Sequence, residues 1–191
     1  VSPTMNPTTA PSPTELPSPT TSPTLAATPA ATSQPQTGGT TSLDPCALLD
    51  KQEAKNLTGV DFGDGVASSI PDGGGKICTY GANTANVLTV EVGQAQDEAA
   101  AKAIQASFLN DIKTGLSQFG DVPFQVTEIP DFGSGAVSAT LGQNPINITG
   151  TAFGFRKNTI FFGFSDLVLG GSAPSLEAAR AEAAYVLGEL P

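Results

Sequence analysis

The sequence contains no histidine, no tryptophan, 2 cysteines, and only 8 lysines and arginines among 191 residues. Each shortage closes off a class of function. Without histidine there is no Ser-His-Asp or Cys-His pair, no imidazole base and no histidine-ligated metal. Eighteen acidic residues against those 8 basic ones give a formal charge of -10. Too little positive charge remains to hold a phosphate backbone, so no nucleic acid partner is expected. No apolar run approaches the roughly 20 residues of a membrane-spanning helix. What the chain has in excess is proline, threonine and glycine, and they are unevenly placed.

Residues 1–45 hold 10 of the 16 prolines, with 12 threonines and 6 serines, and their only charges are Glu15 and Asp44. None of the 10 phenylalanines lies there. Such a segment has almost no apolar surface to offset the entropy of ordering. Residues 1–43 are therefore read as a disordered Pro/Thr/Ser-rich stalk of partly extended, polyproline type. Its reach lies between about 35 Å as a flexible coil and about 130 Å fully extended. Dense Thr/Pro is also the composition of O-glycosylated surface tethers, with a plain spacer as the simpler alternative. A stalk needs an attachment, so a signal peptide or an anchoring residue is expected to have been removed ahead of Val1.

Residues 44–191 read as one α+β domain. Asp44 and Pro45 open a helical turn over Cys46-Ala47-Leu48-Leu49, and Asp50 with Glu53 forms a capping-box pattern for a second helix that Gly59 ends. Strand patterns cover residues 65–70, 76–82 and 86–92, the first two joined by the turn Pro71-Asp72-Gly73-Gly74-Gly75. A long helix is expected from Asp97 to Gln118, with Ile104, Phe108, Ile112 and Leu116 on one stripe and Leu109 beside it. Four more strand-like runs follow, over 124–129, 135–141, 146–156 and 158–166. A last helix begins at Ser175 and turns Leu176, Ala179, Ala183, Val186, Leu187 and Leu190 inward. Hairpin-linked strands make an antiparallel sheet, which helices in two places must cover. The order is β-β-β-α, then β-β-β-β-α or β-β-β-α; Ile70-Pro71-Asp72 and Ile129-Pro130-Asp131 occupy matching turns and each half ends in a helix, which suggests a loose duplication, two β-β-β-α halves in its simplest form.

Cys46 and Cys78 lie too far apart for a Cys-x-x-Cys redox pair. In an exported chain two cysteines read as one disulfide; in a cytosolic chain they read as two buried thiols. The stalk favours the former.

The opening Asp44-Pro45-Cys46-Ala47-Leu48-Leu49, the later Cys78-Thr79-Tyr80, and the run from Ile129 to Ala136 resemble the domain-of-unknown-function 3558 family of actinobacterial cell-envelope lipoproteins. The resemblance spans about residues 44 to 190. It implies export, a lipidated cysteine upstream of Val1, a Cys46–Cys78 bridge, and helices around an antiparallel sheet. It brings no established reaction. The family pattern Gly-Asp-x-Ala is here Gly133-Ser134-Gly135-Ala136, without the acid.

Asp61, Asp64 and Asp72 stand near one another in sequence and would suit carboxylate hydrolase chemistry or calcium, but Asp and Gly are ordinary turn formers. Gly73-Gly74-Gly75-Lys76 fails as a phosphate loop, because Ile77 stands where Ser or Thr must hold magnesium. Gly133-Ser134-Gly135 fails as a nucleophile elbow, with Asp131 in place of the first glycine. Asn56-Leu57-Thr58 and Asn147-Ile148-Thr149 match the glycosylation pattern by chance. The strongest feature is aromatic. Thr151, Phe153 and Phe155 share one strand face opposite Gly150, Ala152 and Gly154, and Ile160 to Phe164 is nearly all apolar.

Phe153, Phe155, Phe162 and Phe164 are thus either core, with the bare face admitting a helix, or the wall of an apolar groove. In the second case Arg156, with Lys157 beside it, would meet the acidic headgroup of a lipid-like ligand. The sequence as a whole reads as a noncatalytic, extracytoplasmic envelope lipoprotein that binds a small apolar ligand or an envelope partner. No cofactor and no metal are expected, and any membrane contact would be through the anchor. An interaction module without a small ligand is the alternative, and a hydrolase using the loop carboxylates is the third. Deleting residues 1–43 is expected to leave the melting temperature of the domain unchanged in a calorimeter; a fall would show that the tail packs on it.

Overall fold

A computed structural model describes residues 43–70 and 75–191. Residues 1–42 of the stalk, Asp72 and most of the Pro71–Gly75 turn lie outside the described residues, and Leu43 packs against the core. Asp44 caps the short helix α1 (Pro45–Leu48) by accepting from the Cys46 amide at 3.0 Å. Helix α2 (Lys51–Thr58) carries the full capping box, the Asp50 carboxylate taking the Gln52 and Glu53 amides while Glu53 takes that of Asp50. Three strands follow: β1 (Val66–Ser69), β2 (Lys76–Tyr80) and β3 (Asn86–Gln94). Then come α3 (Glu98–Ser117), β4 (Phe124–Glu128), β5 (Ser134–Leu141), β6 (Ile148–Lys157), β7 (Ile160–Leu169) and α4 (Leu176–Glu189).

All seven strands form one antiparallel sheet in the order β1-β2-β3-β7-β6-β5-β4. The fold is α+β, an antiparallel sheet packed by helices. Strands β6 and β7 form its centre through a ten-residue hairpin ladder, Phe153 opposite Phe164 and Phe155 opposite Phe162. Side chains alternate between faces, so register decides what each helix meets.

One face carries Leu88, Val90, Val92, Phe153, Phe155, Phe162 and Phe164, packed with Leu49 after α1, Ala54 and Leu57 of α2, and Ala179, Ala183 and Val186 of α4. Phe132, from the β4–β5 loop, lies edge-on to Phe153 and Phe155 at 5.1 and 5.3 Å between ring centroids. The other face carries Ala139, Ala152 and Phe161 against Phe108 of α3, with Ile104, Leu109 and Ile112 half-buried around them. Helices α3 and α4 thus cover opposite faces, and the second half has four strands. The two halves meet at the antiparallel pair β3–β7. Twofold symmetry there would place both helices on one face, so the matching turns do not mark two copies of one unit.

The alternation of phenylalanine and glycine has a physical reason. On the α3 face a β-carbon at Gly163 would stand 2.7 Å from Cζ of Phe161 and 3.0 Å from Cζ of Phe108. The bare positions make room for that aromatic pair, whose centroids are 5.2 Å apart. Leu176, expected on the inner face of the last helix, is instead exposed, because it precedes the first turn that reaches the sheet.

Cys46 and Cys78 are bridged, tying α1 to β2 across a separation of 32 residues with Cα atoms 5.2 Å apart. Closing a loop of that size stabilises by roughly 3–4 kcal/mol on chain-entropy grounds. Beside the bridge the Tyr80 hydroxyl donates to the Leu49 carbonyl at 2.7 Å. Burial, reinforced by Asp50 and Glu53, pushes that phenol up to about 12. Gly163→Ala is expected to lower unfolding free energy by about 1–3 kcal/mol through overpacking, measured by urea denaturation. No loss would mean that α3 does not press on β7.

Candidate functional site

The β-ladder separates what the sequence placed in one groove. Phe153, Phe155, Phe162 and Phe164 are all buried among one another under α4. Arg156 follows Phe155 by one residue and therefore points to the other face, toward α3. Lys157 returns to the α4 side, where its ammonium donates to the carbonyls of Leu187 and Leu190 at the C-terminal end of that helix. There it neutralises the negative end of the helix dipole. The aromatic face and the guanidinium form two separate environments.

Arg156 is only 7% exposed, although it lies near the end of β6. Its Nε donates to Oε1 of Gln105 at 3.0 Å, and Nε2 of Gln105 donates in turn to the Gly135 carbonyl. Nη1 is buried without a hydrogen bond and has Glu98 Oε1 at 3.5 Å as an ion-pair partner. Glu98 itself is 77% exposed, in the first turn of α3. That pair is loose at one end and fixed at the other.

Local backbone structure makes this arrangement possible. The β5–β6 register slips between Ser134 and Val137, a bulge that lifts Gly135 out of the ladder. Gly135 adopts φ +62, and a β-carbon there would lie 2.8 Å from Nη2 of Arg156. A side chain at this left-handed position would crowd the guanidinium, and glycine avoids both the strain and the clash. Next to it opens a cavity of about 340 Å³ between α3 and the β4–β5 connection. Lys102, Gln105, Glu128 and Arg156 supply its polar wall; Ala106, Leu109, Ile129, Pro130, Ala136 and Val137 supply the apolar one. The two ends of the run from Ile129 to Ala136, Ile129-Pro130 and Gly135-Ala136, thus border the pocket, while Phe132 between them packs on the α4 side.

Sequence reasoning named Arg156 and missed its companions. Gln105 was detectable: it falls between Ala101 and Phe108 on the buried stripe of α3, where a polar residue needs a partner. Glu98 and Lys102 share that side of the helix by their spacing. Glu128 carried no signal before β4 and β5 were paired.

Other acidic groups sit apart from the pocket. Asp61 pairs with Lys55 at 2.8 Å and Asp64 with Lys51 at 3.6 Å, all on the surface. Lys55 holds the Asp61 carboxyl below its ordinary value, the reverse of what a general acid requires. Among the described residues no group of three or more acidic, cysteine or histidine side chains is placed to hold a metal.

Three carboxyls are raised: burial pushes Glu91 and Glu182 up to about 7 and Asp166 up to about 6. Nearby Asp111 adds to the effect at Glu91, and Glu53 at Glu182. Asp166 is fully buried on the α4 side of the sheet with neither oxygen hydrogen-bonded, while Glu91 faces α3.

A folded-state value above the unfolded one means that the folded protein holds the proton longer. The stabilisation is complete below about pH 4 and is lost as pH rises to about 7. Melting temperature is therefore expected to fall between pH 4.5 and 7.5 in calorimetry, and Asp166→Asn is expected to flatten the slope. A rise over that range would contradict the assignment.

Comparison with known proteins gives a fold and no activity. No family model and no curated protein matches the chain. Among the described residues no helix is long and apolar enough to cross a membrane. The structure is similar to the crystal structure of the extracellular domain of PknH from Mycobacterium tuberculosis. The TM-score is 0.50 and the identity 12%, over 75% of this chain and 93% of that one.

Proposed function

We propose that this protein is an extracytoplasmic, noncatalytic binding domain whose ligand pocket lies between α3 and β5. One observation carries the reading: a cavity of about 340 Å³ bordered by a buried arginine whose Nη1 has no hydrogen bond. Small-molecule sites have this build, a mostly apolar concavity of a few hundred Å³ with a few placed polar groups. Export is supported by the Cys46–Cys78 bridge, since structural disulfides persist in oxidising compartments. It is also supported by the likeness to an extracellular domain. The lipid anchor and the actinobacterial envelope rest on the sequence motifs, of which the run from Ile129 to Ala136 borders this pocket at its two ends.

A second reading, docking on another envelope protein, draws on the apolar side chains left exposed near the β4 edge, Phe119 and Val126. Among the described residues strand β4 pairs with β5 alone, so its outer edge could take an added strand.

Native mass spectrometry separates the two readings. The protein is exported by an actinobacterial host and weighed under gentle and denaturing conditions. A discrete small adduct lost on denaturation is the expected result. A clean apo mass accompanied by a co-purifying protein would favour the docking module.

A further inference from the structure

Resting on the binding reading above, we infer the chemical class of the ligand: a small amphipathic molecule whose carboxylate displaces Glu98 from Arg156 and whose apolar part lies against the β4–β5 wall. The Arg156 guanidinium is desolvated and oriented from one side by Gln105, which the Gly135 carbonyl holds in turn. Its Nη1 faces the exposed Glu98 carboxylate at 3.5 Å, too far for a good charge-assisted bond. Glu98 reaches this position from a mostly exposed side chain and at a long separation, so it is a weak occupant of a position already shaped for a carboxylate. A planar carboxylate fits a guanidinium edge in two parallel bonds and would supply the hydrogen bond that Nη1 lacks.

The neighbouring charges narrow the class. Lys102 adds a second positive group, whereas Glu128 stands on the same wall. Glu98 and Glu128 would both repel a phosphate dianion more strongly than a single carboxylate. The apolar side, Leu109, Ile129 and Val137, sets the rest of the molecule as hydrocarbon. A ligand for this cavity is short, because 340 Å³ is at the small end of ligand sites. The sequence placed an acid group at Arg156 beside the phenylalanine face; the fold puts the hydrocarbon on the opposite side of the sheet.

The test is an amide chemical-shift titration of the full chain with sodium octanoate, octan-1-ol and octyl phosphate. Octanoate is expected to shift amides of α3 and of residues 134–137 and to bind at least about tenfold more tightly than octanol. Glu98→Gln, on the exposed end of the pair, is expected to tighten octanoate about threefold and to leave octanol unchanged. Arg156→Gln is expected to abolish the preference for octanoate over octanol.

Equal binding of octanoate and octanol would overturn the carboxylate, and tighter binding of octyl phosphate would replace it with phosphate. Weaker octanoate binding in Glu98→Gln would overturn the displacement, and that variant leaves the buried network intact. If native mass spectrometry shows an adduct while octanoate moves none of these amides, binding stands and this inference fails.

Discussion

The central β6–β7 ladder is buried on both faces, and that constraint organises the rest of the molecule. A strand buried on two sides needs a helix on each, and the two strands prescribe what each helix meets. Toward α4 they present four phenylalanines, so that face fills with rings and takes a helix lined with Ala179 and Ala183. Toward α3 they present Gly154 and Gly163, so that Phe108 and Phe161 can lie across bare backbone. Arg156 follows by parity. It lies on the α3 face, where the rings end and a polar partner on the helix is within reach.

Much of this was legible in the sequence. Caps at Asp44, Asp50, Asp97 and Ser175 fixed where each helix begins, because a short polar side chain before an apolar stripe has few other uses. The phenylalanine-glycine alternation correctly suggested that a helix approaches the bare face. Its consequence was also available. Phe155 and Arg156 are adjacent in a strand, so a ring-lined groove closed by that guanidinium was excluded by the period of two. Pairing of β3 with β7 was not readable, since the ladder joins residues about 66 to 82 positions apart with no turn between them to set the register. The pocket depended on α3 crossing β5 and β6 and on the bulge at Gly135, neither of which leaves a local sequence mark beyond a glycine.

The electrostatics give the pocket its character. A chain of formal charge -10 is a poor general host for anions, so any anion held here is held locally. Local means Arg156, one side chain stripped of most of its water and aimed by a neutral glutamine. Burial of the guanidinium is tolerable because one edge is hydrogen-bonded and the other faces Glu98. Glu98 lies on the first turn of α3, where the helix dipole also favours a negative charge.

A crystal structure of the protein purified from its native source would test the central claim most directly. Density for a small molecule with its acid group on Nη1 of Arg156, and Glu98 turned away, is the predicted result. An Arg156 hydrogen-bonded tightly to Glu98 over an empty cavity, with a ligand seated among the phenylalanines under α4 instead, would contradict it.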